Sequence, residues 1–219
     1  MRKAGDLIAE YLREGQLAAN RSEPIGSGGY GVVYESDVPG NVMKQMYNAD
    51  INNDLVKEAD LQSVAADMGF APRVAGIETY RMGIGNRVEM EDVRKNFSPV
   101  PAGGGGYPLD PKVNIRTAQQ LGQLALKGVR LEDRHAGNVM TNNMTGRPMQ
   151  LDFGIAGRVE GSDQVATLAN ATAEGFEAAG LGDVASIYRA TVMDLLEGGD
   201  VADAMDVAKQ GFSRLQKMR

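Results

Sequence analysis

Residues 23–35 read EPIGSGGYGVVYE, with glycines at 26, 28, 29 and 31. Short β-prone runs flank them on both sides. The segment therefore predicts a glycine-rich hairpin between two strands, not the strand-to-helix turn of a dinucleotide fold. A chain leaves backbone this bare either because the turn is flexible or because a ligand must come close to its amides.

The rest of the chain sorts into a β-prone first part and a helical second part. GVVYES and NVMKQMY predict strands joined by a turn at Pro39 and Gly40, residues 50–68 a helix, and PRVAGIETY and GNRVEMEDV two further strands. Upstream, Leu7, Ile8, Tyr11 and Leu12 fall on one face of a predicted packing helix over residues 4–19. SPVPAGGGGYPLDP, residues 98–111, predicts a linker or surface loop. Residues 112–128 predict a helix with Ala118, Leu121, Leu124 and Ala125 as its apolar stripe, and NVM and MQLDFG two short strands around TNNMTGRP. From about Ser162 the chain is alanine-rich and helical, with breaks at Gly180, Gly182, Gly198 and Gly199. The expected layout is α+β: a helical extension over 1–22, a β-rich lobe with one main helix over 23–93, a linker over 94–111 and a reduced helical lobe over 112–219.

Charge and composition narrow the function. A net charge of −6 argues against broad nucleic-acid binding, which needs a basic face. A phosphate ligand would have to be held by local cations, amides or a metal. The absence of cysteine excludes disulfides and thiolate zinc sites, and points to a cytoplasmic setting, in the protein's own cell or in a host. No apolar run approaches the ~18 residues of a membrane span, so no membrane partner is expected.

The glycine stretch fits G-x-G-x-x-G-x-V through Gly26, Gly28, Gly31 and Val33. Four features follow in order: Lys44 on the next strand, Glu58 on the following helix, Asp133 and Asn138 within EDRHAGNVM, and Asp152 opening DFG. Each alone reads as an ordinary surface charge or turn former. In this order, from Ile25 to Gly154, the set resembles the protein-kinase-like superfamily and implies its bilobal fold.

The resemblance implies ATP and Mg2+ as cofactors. Lys44 would contact the α- and β-phosphates and pair with Glu58, while Asp152 and Asn138 would hold magnesium. Asp133 would accept or orient the acceptor hydroxyl's proton. VEMEDV resembles the hinge strand, with Met90 behind the adenine and the main chain of Glu91 and Val93 bonding its edge. Two departures stand out. Leu131 and Glu132, not His-Arg, precede Asp133, and His135 gives D-x-H-x-x-N, which resembles aminoglycoside phosphotransferases and other atypical branches. His135 reads as a residue that orders the loop, since the base position is already filled by Asp133. No A-P-E follows DFG.

The interval of 40 residues from Val93 to Asp133 resembles protein kinases, whereas small-molecule kinases of the family carry a larger insertion there. The reading is a minimal protein serine/threonine kinase with a protein substrate. The alternatives are a small-molecule kinase, for which Glu160, Asp163 and Glu177 would form a cationic-substrate pocket, and a nucleotide-binding pseudokinase.

Overall fold

The computed structural model describes residues 23–27, 31–46, 55–78, 86–133 and 135–218. The helix expected over 4–19, Gly28 and residues 50–54 of the helix expected over 50–68 lie outside them.

The described chain forms two compact units, one built from residues up to Val56 with Val74–Asp92, the other from Lys57–Arg73 with residues from Val93 onward. The first unit is a five-stranded antiparallel sheet in the order β1-β2-β3-β5-β4, with β1 Gly26–Ser27, β2 Gly31–Glu35, β3 Asn41–Met46, β4 Val74–Glu78 and β5 Arg87–Glu91. Strand β3, NVMKQM, alternates strictly and buries Val42, Lys44 and Met46. Val88 and Met90 of β5 complete that face, and Leu55 packs into the same cluster. The turn between β2 and β3 closes through the Asn41 amide donating to the Val38 carbonyl at 3.1 Å, with Gly40 at φ +86°. That conformation suits glycine because an added Cβ is strained there.

Helix α1, Leu55–Asp67, groups with the second unit from Lys57 onward. The reason is packing: Leu61, Ala65, Phe70 and Ala71 form one core with Leu121, Leu124, Val129, Leu131 and Phe153. The boundary between the two units thus cuts through residues 23–93, which the sequence alone assigned to one lobe.

In the second unit the stretch expected to be a linker is tied in. Strand β6, Phe97–Pro99, pairs with β8, Val139–Asn142, which pairs in turn with β9, Pro148–Gln150. Helix α2, Pro111–Leu126, begins where the Asp110 carboxylate accepts from the Lys112 amide at 2.8 Å, with proline in the first turn where no amide is needed. It leads through β7, Val129–Arg130, to the segment carrying Asp133; β7 pairs with β10, Gly157–Arg158. Helices α3 Gly161–Ala178, α4 Gly182–Glu197 and α5 Val201–Leu215 bury Val165, Leu168, Phe176, Val192, Phe212 and Leu215 in a common core. Thr172–Glu174 lies inside α3 as plain helix. Among the described residues no helix is long and apolar enough to cross a membrane.

Tyr188 supplies a test of this core. Its ring meets Phe176 edge-on at 5.8 Å and its hydroxyl donates to the Ala208 carbonyl at 3.0 Å. Burial pushes the phenol up to about 12 from 10.0, with the neighbouring Thr172 hydroxyl offsetting part of the rise. Below pH 10 the phenol is neutral both folded and unfolded. Between pH 10 and 12 only the unfolded chain loses the proton, so stability should fall with rising pH across that window. Chemical denaturation of Tyr188→Phe at a series of pH values should lack that part of the alkaline loss. An identical decline in the variant would assign it to other groups.

Candidate active site

In the first unit Lys44 lies opposite Val33 on β2 and Val88 on β5, and it is only 7% exposed. The β3 alternation puts its side chain on the same face as Val42 and Met46. Val33 is half-buried, Met90 is buried opposite Val42, and Glu91 is exposed opposite Asn41. The glycines of the motif differ physically. A Cβ on Gly31 would stand 2.4 Å from the Gln45 carbonyl oxygen, whereas one on Gly26 would meet nothing within 4 Å. The strand pairing therefore demands Gly31 and leaves Gly26 without a packing reason.

The remaining residues lie in the second unit. Glu58 is buried in the first turn of α1. Val93 is buried with Met140 and Met149, so the chain passes from one unit to the other between Asp92 and Val93. Asp133, Asn138 and Asp152 are brought together by the β8–β9 hairpin. Val139 pairs with Gln150, and the Leu151 amide donates to the Asn138 carbonyl at 2.9 Å. The Asn138 side-chain amide donates to the Asp133 carbonyl at 3.2 Å, which fixes its rotamer and orients its oxygen as an acceptor. Asp152 accepts from the Gly154 amide at 3.0 Å, and the adjoining Phe153 is fully buried and anchors the turn.

His135 orders this loop. Its Nδ1 accepts from the Gly137 amide at 3.0 Å, so the neutral ring carries its proton on Nε2. That Nε2 stands 3.6 Å from Asp133 Oδ2, a distance for electrostatic attraction rather than a full hydrogen bond. Gly137, which the motif reading passed over, is part of the seat: a Cβ there would come within 2.8 Å of the imidazole. The signal available in the sequence was its position two residues after the lone histidine. The acidic residues suggested for a cationic substrate do not converge. Asp163 lines one cavity with Glu132, and Glu177 lines another with Glu174.

A carboxylate beside an imidazole, with an amide oxygen and a second carboxylate across a short hairpin, can orient a hydroxyl and offer hard oxygen ligands to a cation. No protein-family model matches the sequence, and no curated protein is significantly similar to it. Among solved structures, the chain is similar to the kinase PK-1 of Cydia pomonella granulovirus. The match has 11% identity and a TM-score of 0.50, over 77% of this chain and 74% of that one. The chain has a protein-kinase-like fold. In a protein-kinase-like frame, the five-stranded sheet corresponds to the β-rich lobe and the Asp133–Asp152 hairpin to the segment after the first long helix of the helical lobe. At 11% identity the likeness concerns the course of the chain and not its chemistry.

Proposed function

We propose that the protein is an ATP- and magnesium-dependent phosphotransferase acting on a hydroxyl acceptor, and specifically a minimal protein serine/threonine kinase. The observation that carries this reading is the hairpin that sets Asn138 beside Leu151, the neighbour of Asp152, while the Asn138 side chain bonds the Asp133 carbonyl. Phosphoryl transfer needs position and charge compensation more than covalent chemistry; these residues would supply the position and hold the cation that compensates the charge.

In this reading Asp133 takes or orients the acceptor's proton. His135, held with its Nε2–H toward Asp133, keeps that carboxylate in place. The Asp152 carboxylate and the Asn138 amide oxygen are hard donors of the kind magnesium selects, and they would hold it. Bound magnesium would neutralise the phosphates. Lys44 would add a fixed positive charge at the α- and β-phosphates, and the amides around Gly26, Gly28 and Gly31 would cradle the oxygens. Met90 would back the adenine, with the main chain at Glu91 and Val93 bonding its edge, and Glu58 would position Lys44.

Incubation with γ-labelled ATP, magnesium and lysate, followed by mass spectrometry, tests the reading. Label on serine or threonine of proteins supports it. Label on a small metabolite favours the small-molecule kinase to which D-x-H-x-x-N is similar. ATP binding without transfer indicates a pseudokinase.

The glycines give a second test. Gly26→Ala should leave unfolding within about 0.5 kcal/mol of the parent, as for surface changes without a packing role, and weaken ATP binding in titration. Gly31→Ala should lower stability by about 1–3 kcal/mol, because the obstacle is main chain that cannot rotate aside. Equal effects of the two on stability would refute the distinction. His135→Ala and Gly137→Ala should both lower kcat while leaving ATP affinity unchanged. An unaltered kcat would reduce the imidazole to a loop cap.

A further inference from the structure

Between β6 and α2 the chain builds a feature that the phosphotransfer reading does not use. Ala102 pairs with Pro108 in an antiparallel bridge. The Gly103 amide donates to the Tyr107 carbonyl at 2.7 Å, and the Leu109 amide to the Pro101 carbonyl at 2.9 Å. Pro108 is buried, and its carbonyl accepts from the Asn114 side chain on α2 at 2.8 Å. Gly105 and Gly106 take φ of +69° and +81°, which a side chain would strain. Residues 101–109 are therefore a hairpin closed on itself and tied to α2.

This hairpin holds two apolar side chains out to solvent. Tyr107 and Leu109 stand on either side of the buried Pro108, and the alternation of extended backbone turns both the other way. They are 55% and 65% exposed. A Cβ on Gly105 would meet the Tyr107 ring at 3.5 Å, and one on Gly103 the Leu109 side chain at 3.4 Å. The ring and the aliphatic chain thus lie beside bare main chain, which leaves them open to an approaching molecule. A single exposed apolar residue needs no explanation, but two held on one face of a pinned hairpin form a surface.

The position of the hairpin indicates what covers that surface. A Cβ on Gly106 would stand 3.9 Å from the Cβ of His135, whose Nε2 lies 3.6 Å from Asp133 Oδ2. The hairpin therefore abuts the segment that carries the proposed acceptor base, and Tyr107 follows Gly106 directly. At ~3.3 Å per extended residue, a polypeptide whose hydroxyl meets Asp133 reaches Tyr107 within about four residues.

We propose that Tyr107 and Leu109 are specificity-determining residues that hold an apolar side chain of the acceptor polypeptide, within about four residues of the phosphorylated serine or threonine. The proposal rests on the protein-kinase reading and names the kind of sequence that such a kinase would select.

The test uses the full chain, γ-labelled ATP, magnesium and synthetic peptides with one central serine in an alanine–glycine–glutamine background. Leucine or glutamine is placed in turn at each of the four positions on either side of the serine. Leucine at a preferred position should lower the peptide KM about tenfold against glutamine, the scale of one well-packed anchor. Tyr107→Ser and Leu109→Ser should each erase most of that preference and leave kcat and the KM for ATP unchanged. Tyr107→Phe, which keeps the ring, should retain it. Both substituted side chains are more than half exposed, so melting temperatures should stay close to that of the parent. Transfer by the parent without any leucine preference would overturn the proposal, as would a preference that survives both serine variants. Self-association of the parent that Tyr107→Ser abolishes would assign the surface to a second copy and overturn it too. Label on no peptide and on no lysate protein would refute the protein-kinase reading, and the proposal with it.

Discussion

Asp152→Asn should reduce magnesium-dependent transfer by about a thousandfold or more, the scale seen when a preorganised charge is removed from a transition state. The substitution isolates charge from structure. The Asp152 Oδ1 accepts from the Gly154 amide, and an asparagine oxygen can accept the same bond. Phe153 stays fully buried in the core shared with Leu61 and Leu124, so the turn keeps its anchor. Unfolding should therefore stay within about 0.5 kcal/mol of the parent, as for a change that removes no packing. The parallel variant Asp133→Asn should retain ATP and magnesium binding and lose transfer, because its proposed contact is with the acceptor. The two variants thus separate metal from proton chemistry. Near-parental turnover in Asp152→Asn, measured as labelled phosphate transferred at saturating magnesium, would remove the metal role. Unchanged turnover in Asp133→Asn would remove the base.

The fold class was legible because a kinase-like chain distributes its diagnostic residues in a fixed order over fixed elements. Lys44 on a strand and Asp152 just past a short strand follow from local alternation and turn chemistry alone. Three things were not legible. The two unequal duties of Gly26 and Gly31 depend on the Gln45 carbonyl, which reaches Gly31 only through the β2–β3 register. The allegiance of α1 was hidden because its apolar residues look alike in sequence, yet Leu55 joins the sheet core and Leu61 the other core. Residues 98–111 read as loop because proline and glycine suppress periodicity. Long-range pairing of Ser98 with Thr141, and of Pro99 with Met140, nonetheless ties their start into a sheet.

The same limit governs the helix-interior glycines, where the second large effect is expected. Glycine inside a helix costs roughly 1 kcal/mol against alanine, so propensity alone predicts that Gly122→Ala stabilises α2. The opposite should be found. A Cβ on Gly122 would lie 2.2–2.8 Å from ring carbons of Phe212 on α5, which is buried in the helical core. A Cβ on Gly175 would come within 2.5 Å of Leu215 and one on Gly211 within 2.2 Å of Tyr188, so three helix contacts are built on missing side chains. Gly122→Ala should destabilise by about 1–3 kcal/mol and Gly122→Val by more, as overpacking a close contact does. Phe212→Leu, which vacates the ring, should rescue much of the loss, and a double-mutant cycle by urea denaturation would show the coupling. Independent, additive effects would mean that α2 and α5 can shift apart freely. The coupling bears on the proposed transfer because α2 runs directly into β7 and the Asp133 segment. A variant that folds with α2 displaced should lose transfer more steeply than it loses ATP binding.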